Sequence, residues 1–376
     1  MTPESTSPPV SQKMIADHLQ VSIATVSKAL GNKSDISEAM RLKVEKAANE
    51  LGYSYGKGSQ RRRAAQTQAK KTNQLVGVFL RRPLENGGKN VPTYMDGMSR
   101  LASQQGISLV VQEWRYNEDP TTLISKSQQP PAMRQGMLSA IALGGEWPAN
   151  VINTISLRHP VVLFPQSVIG CSVDVVGLDN VSTMMQIVEK LKRLGHRRIG
   201  FLGRCGKMAW ASERFAGYVS AMDRLGLQYN QRWALDVDES PMLNEGYEDY
   251  WRERIDRVEA ARNEDGVEAW VCSSDWPAFQ LYRGMADRGY DIPSDLSITG
   301  FDDTEPVHLG CPPVTSVKVP REVIGDAALR RLMQLIDNPR SMPRHSSFAC
   351  KMMLNGTIGR PTHTVENSDD LGGVAV

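Results

Sequence analysis

The sequence predicts a small all-α head followed by a much larger α/β body with two successive sets of strands and helices. Three observations predict it. Three short amphipathic helices with capping residues fall within residues 11–51, and from Leu75 apolar strand runs alternate with helical stretches. Charge is also split along the chain. Residues 1–73 carry 12 Lys/Arg against 6 Asp/Glu, and the remainder carries 32 against 36. A basic head on a mildly acidic body suits nucleic-acid contact by one end, although a merely basic solubilising surface would give the same charge.

In the head, residues 11–20 read as the first helix, with Ser11 as N-cap and Met14, Ile15, Ala16 and Leu19 as its apolar side. Small Ala16 allows a second helix to approach closely, and Leu19, Gln20 and Val21 make the turn. The second helix begins at Ser22, whose hydroxyl can accept a first-turn N–H. Val26 and Leu30, with Val21 just ahead, face the core. Its other face offers Ile23, Ala24, Thr25, Ser27 and Lys28. These are methyls suited to a thymine methyl, and hydroxyls and a cation suited to phosphates or guanine. Alone, that face is equally that of an ordinary surface helix. A third helix over about 37–51 follows, capped by Ser37, with Met40, Val44, Ala47, Ala48 and Leu51 as its stripe and Gly52 as its stop. Three such helices with a tight turn between the first two make a helix-turn-helix unit, whose second helix enters the major groove.

The stretches VSIATVSKALGN and DISEAMRLKVEKAANELGY resemble, nearly position by position, the VSxATVSRVLN and VSxxTRxRVxxAxxELGY patterns of the LacI/GalR family of bacterial transcriptional regulators. The similarity runs over about residues 11–360. It implies an N-terminal all-α helix-turn-helix head plus an α/β bilobal periplasmic-binding-protein-like core. The expected division is a DNA-binding domain at 11–56, a basic linker at 57–73, an effector-binding and dimerisation domain at 74–360, and a tail at 361–376. Lobe 1 is expected at about 74–174 and 318–345, and lobe 2 at about 175–317 and 346–360. The linker departs from the family pattern: Pro-Asn is absent after Gly52-Tyr53, and no leucine lies between Tyr53 and Leu75. Its Arg61, Arg62 and Arg63 either enter a narrow minor groove or act as a flexible basic tether. The candidate DNA contacts are therefore Ser11, Ser22, Ile23, Ala24, Thr25, Ser27, Lys28, Asn32 and those three arginines.

In the body, strands are expected at 75–80, 107–112, 141–144 and 160–164, with a helix around 94–105. A second set is expected to open with Asp174–Asn180, followed by a helix to Leu194 and a strand at 199–203. Further strands at 268–275 and 296–303 end in polar residues, and Pro313–Val317 follows. GFDD at 300–303 and the HRRIGFLG run at 196–203 are further similarities to the family. His196 beside Gly195 reads as a helix C-cap rather than a catalytic base.

Ligands of open α/β sheets lie at the carboxyl ends of the strands. The family's effector contacts carry over to Arg214, Ser274 or Asp275, and Asp302, with Ser274 standing where the family has Asn. Arg81, Arg82, Tyr94, Gln166 and Trp210 are further candidates; the strand-end aspartates alternatively cap the following helices. Donors, acceptors and aromatics in that mixture suit a sugar or sugar acid, and the arginine pair favours an anionic effector. No Ser-His-Asp order, GxSxG, P-loop or HExxH occurs, so neither an enzyme nor a cofactor is expected. Five scattered cysteines without CxxC spacing read as reduced core residues rather than a zinc site. No membrane span or signal peptide is legible, which places the chain in the cytoplasm. The expectation is a repressor that binds a pseudo-palindromic double-stranded operator as a homodimer and senses a small molecule. The alternative is a sugar-binding module without a DNA role.

Overall fold

The computed structural model describes residues 11–30, 36–51, 74–82, 91–165, 168–204, 208–237, 247–304, 311–339 and 341–362. The chain divides into two compact units at Thr72/Asn73. The candidates Asn32, Arg61, Arg62, Arg63 and Gln166 lie outside the described residues, as does the side chain of Arg82.

The first unit holds α1 (Gln12–Leu19), α2 (Ile23–Leu30) and α3 (Glu38–Glu50). Gln20 turns left-handed at φ 54°, and Val21 N–H donates to the Ala16 carbonyl, which makes the tight turn. Ile15, Ala16, Val26, Ala29, Leu30, Val44, Ala47 and Ala48 form one buried cluster. Each large aliphatic side chain there contributes roughly 1.5–3 kcal/mol on burial. Two expectations fail. Met14 is 45% exposed, because it lies one position off the stripe that Ile15 occupies. Ser11 occupies the N-cap position but makes no side-chain cap bond. Ser22 and Ser37 do cap, accepting from Thr25 N–H at 3.0 Å and Met40 N–H at 3.4 Å.

In the second unit the first sheet contains β1 (Leu75–Arg82), β2 (Ser108–Arg115), β3 (Ala140–Gly144), β4 (Val161–Phe164) and β5 (Asp174–Leu178). Helix α4 (Val91–Gln105) connects β1 to β2, the one-turn α5 (Pro131–Arg134) precedes β3, and α6 (Ala149–Ser156) precedes β4. Successive residues of β1 feed opposite faces: Val76, Val78 and Leu80 meet α4, and Phe79 joins Trp114 and Trp147. Those rings stack edge to face at 5.5 and 5.2 Å.

The chain then crosses into α7 (Asn180–Leu194), β6 (Ile199–Arg204), α8 (Ala209–Arg224), β7 (Ala234–Asp236), α9 (Tyr247–Asp265), β8 (Ala269–Cys272), α10 (Asp275–Ala286) and β9 (Ser297–Thr299). After β10 (Ser316–Lys318) it returns through α11 (Arg321–Asp337) to β11 (His345–Phe348), then crosses again into β12 (Lys351–Met353). The sheets run β11-β5-β4-β3-β1-β2 and β7-β6-β8-β9, with all described pairs parallel. Bridges Thr299–Thr315 and Asp302–Lys318 attach β10 to the second sheet, and β12 pairs antiparallel with β10.

The lobe boundaries shift accordingly. β5 and β11 belong to the first sheet, not the second, so the crossings fall after Leu178, Lys318 and Phe348. Sequence periodicity marks a strand but not the sheet it joins. His196 is also corrected: Gly195 at φ 115° caps α7, while His196 is buried with Nε2 3.0 Å from both Ser297 Oγ and the Gly359 carbonyl.

Two contacts fix α11. Gly97 of α4 lies against the Glu322 carbonyl and Gly325 of α11 against the Tyr94 carbonyl; a Cβ at either would sit 2.0 Å from that oxygen. The two helices therefore cross backbone to backbone. Farther along, the buried Arg331 guanidinium pairs with Asp174 on β5 and donates to Ser341 Oγ and the Met342 carbonyl at 3.1 Å each. Asp174 also accepts from Arg344 N–H at 2.9 Å. No described helix is long and apolar enough to cross a membrane.

Removing one member of this buried pair strands the other. Arg331→Met is expected to lower unfolding stability by about 3–5 kcal/mol in urea melts. The double change Arg331→Met, Asp174→Leu should recover much of that loss.

Candidate functional site

On α2 the sequence places apolar and polar faces as a 3.6-residue period requires. Val26, Ala29 and Leu30 are buried, while Ser22, Ile23, Ala24, Ser27 and Lys28 are exposed and Thr25 is intermediate. Ile23 is 48% exposed, a large aliphatic residue held outward at the helix start. Ser22 Oγ and Thr25 Oγ1 lie 2.8 Å apart, so the two hydroxyls are oriented together rather than independently. A face of methyls, hydroxyls and one lysine beside a rigid turn is the surface a groove-reading helix presents.

The body candidates converge in part. Arg214 on α8 is 4% exposed. Its Nε donates to Asn180 Oδ1 at 3.1 Å, and its Nη1 to the Ser273 carbonyl at 2.6 Å. Its Nη2 lies 3.5 Å from Asp302 Oδ1. The guanidinium carbon stands 3.5 Å from the Phe301 ring centroid and 4.7 Å from that of Trp210. A planar cation packed against aromatic rings and fixed at its edges keeps one orientation, which a lysine would not. Asn180 relays the cluster outward, its amide donating to Glu213 Oε2 at 2.7 Å.

Asp302 follows β9 by three residues and takes φ +110°, a conformation costly for a side chain with a Cβ. Its N–H donates to the Val317 carbonyl, and its own carbonyl accepts from Arg321 Nη2 at 2.9 Å. Arg321 Nη2 is also 3.6 Å from Asp302 Oδ1, so one carboxylate faces two guanidiniums. Tyr94 reaches the same place from α4. Its ring is edge-on to Phe164 at 5.8 Å, and burial raises its phenol pKa, with Arg321, Asp302 and Arg214 as charged neighbours. The cluster lies past the carboxyl ends of β4, β6, β8 and β9, between the two sheets.

Other candidates are placed differently. Asp275 does not terminate a strand. It opens α10, with Oδ1 accepting from the Ser316 hydroxyl at 2.6 Å and Oδ2 from Thr304 N–H at 2.6 Å. Burial, then the nearby Asp302 charge, pushes its pKa up to about 7. Its carboxyl thus fastens the Phe301–Thr304 turn to β10. Ser274 is buried at the N-cap position of α10 without a side-chain cap bond. Arg81 turns toward backbone, donating to the Glu146 carbonyl at 2.8 Å and the Tyr116 carbonyl at 3.1 Å. Glu146 in turn accepts from Ala209 N–H at 3.1 Å, joining the end of β3 to the start of α8.

Three members of the cluster went unread as site residues: Asn180, Phe301 and Arg321. Asn180 and Phe301 sat inside quoted motifs. Nothing in the local pattern marks Arg321, which looks like the first residue of an ordinary helix after Pro320. Among the described residues, no group of three or more His, Cys, Asp or Glu is placed to hold a metal ion.

Comparison with known proteins agrees with both halves of the chain. Residues 13–54 match the family described as bacterial regulatory proteins, lacI family, and residues 188–355 match the periplasmic binding protein-like domain. The HTH-type transcriptional repressor CytR of Escherichia coli K12 is 24% identical over 350 residues, covering 92% of this chain and 95% of CytR. The HTH-type transcriptional regulator GalR of the same strain is 25% identical over 358 residues, covering 93% and 96%. Among solved structures, the lac repressor dimer bound to operator and the anti-inducer ONPF is similar at TM-score 0.61 and 21% identity, covering 94% of this chain and all of that one. The transcriptional regulator CelR–cellobiose complex is similar at TM-score 0.61 and 21% identity, covering 93% and 99%. With a helix-turn-helix head, a two-sheet α/β body and relatives matched over nearly their whole length, this chain belongs to the LacI/GalR family of DNA-binding transcriptional regulators.

Proposed function

We propose that this regulator is a repressor whose operator affinity is set by a small-molecule effector, a sugar or sugar derivative, held between the two sheets of the body. The observation that carries this reading is the Arg214 cluster. A buried guanidinium is pinned to Asn180 at one crossing, to the Ser273 carbonyl past β8 and to Asp302 past β9. Ligand hydroxyls that exchange for those internal partners would change what holds the lobes together. The CelR structure contains cellobiose, which supports a saccharide for a body of this fold.

In the proposed scheme two heads of a homodimer, each residues 11–56 on a basic linker at 57–73, read a pseudo-palindromic site. The effector favours one arrangement of the lobes over another, and the differential affinity appears as a coupling of about 1–3 kcal/mol on DNA binding. No covalent step is required of the site. Action on chromosomal operators would place the protein in the cytoplasm. The rival reading, a sugar-binding module without a DNA role, leaves the exposed α2 face without a purpose.

Two substitutions test the division of labour. Lys28→Ala should weaken operator binding several-fold, lower the salt slope by about 1 and leave effector affinity unchanged, as read by fluorescence anisotropy across a salt series. Arg214→Ala should raise the effector's Kd by about tenfold or more, because charge-assisted bonds are lost, and should remove the effector response of operator binding. Equal damage to both activities by both variants would defeat the scheme.

A further inference from the structure

The charge balance of the cluster points to the class of effector. Arg214 and Arg321 both face Asp302, whose side chain is 24% exposed. Glu213 is one amide removed, and both Asp275 oxygens are turned to Ser316 and Thr304. Two guanidiniums against one facing carboxylate leave an excess of positive charge, which Asp275, its pKa pushed up to about 7, offsets only in part.

The two arginines are used very differently. Every nitrogen of Arg214 has a partner: Asn180, the Ser273 carbonyl and Asp302. Arg321 is 10% exposed and spends only Nη2, on the carbonyl and carboxylate of Asp302. Among the described residues, Nε and Nη1 of Arg321 have no hydrogen-bond acceptor, nor has the Tyr94 hydroxyl. Yet Arg321 is the foremost charge acting on Tyr94, and the Gly325–Tyr94 backbone contact keeps α11 and α4 from drifting apart. Three guanidinium N–H groups, on Nε and Nη1, and a phenol hydroxyl that can donate therefore stand on the lobe-1 side of the cluster, beside Asp302. Vicinal hydroxyls alone would be served by Asp302 and Arg214; the extra donors of Arg321 match a planar or tetrahedral oxyanion.

We propose that Arg321 and Tyr94 form an anion subsite of the effector pocket, and that the effector carries a carboxylate or phosphate group. This rests on the reading of the cluster as an effector site. It names a specificity-determining arginine in place of Arg81, whose Nη1 and Nη2 are committed to backbone carbonyls. The effector's anion takes the N–H groups of Arg321 and the Tyr94 hydroxyl, and its neutral hydroxyls take Asp302 and Arg214.

The test uses the full chain, with melting temperature read against inorganic phosphate and against acetate, ionic strength being held with chloride. The two anions separate phosphate from carboxylate preference. Wild type should show a saturable rise with at least one of them. Arg321→Gln should weaken that response about tenfold or more, and Arg321→Lys less. The exposed Arg134→Gln, on α5, should match wild type. Phosphate held by the basic head would act equally on all four proteins, so identical curves for wild type and Arg321→Gln overturn the proposal, as does a wild type without saturable response. In parallel, matched sets of a neutral sugar, its uronic acid and its 6-phosphate are titrated. Where a set binds, the charged member should bind about tenfold tighter in wild type only. A neutral sugar that binds as tightly as its charged partners also overturns the subsite. Operator binding is followed separately. An Arg321-dependent anion response with no ligand effect on DNA would sink the control scheme and leave the subsite standing. A neutral ligand that shifts DNA binding, with no Arg321-dependent anion response, would do the reverse.

Discussion

Burial of the Arg214 guanidinium is the constraint around which the body is arranged. Taking that cation out of water costs several kcal/mol unless its donors and faces are met. The fold meets them from four separate segments: Asn180 just past the first crossing, the Ser273 carbonyl beyond β8, Phe301 and Asp302 beyond β9, and Trp210 one turn earlier on α8. Three of these segments lie at a strand end or crossing, so satisfying the one cation also sets where those ends stand. The left-handed Asp302 is part of the same arrangement, since its strained backbone directs the carboxylate at Arg214 and the carbonyl at Arg321.

A site built this way is suited to control. The groups around Arg214 are already paired with one another, so a ligand that reaches them exchanges partners. Such exchange is close to balanced in energy, because internal hydrogen bonds are replaced by bonds to the ligand. A modest difference in affinity between lobe arrangements then suffices to move the equilibrium. Around the exchangeable centre stand contacts that do not exchange readily: the backbone-to-backbone crossing of α4 and α11, the Arg331–Asp174 pair, and the carboxyl of Asp275 fastening the Phe301–Thr304 turn. Stability and responsiveness are thus assigned to different residues.

The sequence by itself determined the head, its turn and the exposed face of α2. Those depend on contacts between residues three or four apart, which helical periodicity reports directly. Met14 and Ser11 escaped because a stripe one residue off, or a cap hydroxyl turned away, leaves the local pattern unchanged. The alternation of strands and helices in the body was equally open to reading, and the family resemblance singled out Arg214 and Asp302, which the fold brings together.

Tertiary structure alone decided which sheet each strand joined and which charges met. β5 and β11 entered the first sheet although nothing in their sequences names a partner, because strand partnership depends on long-range register rather than local pattern. Asp275 was turned inward by Ser316, 41 positions away, and Arg81 was drawn to the Glu146 carbonyl, 65 positions away. Arg321 was brought to Tyr94 by a helix crossing that two glycines permit, more than 200 positions apart in the chain. Pairings at such separations leave no periodicity behind, and so no local signal carries them.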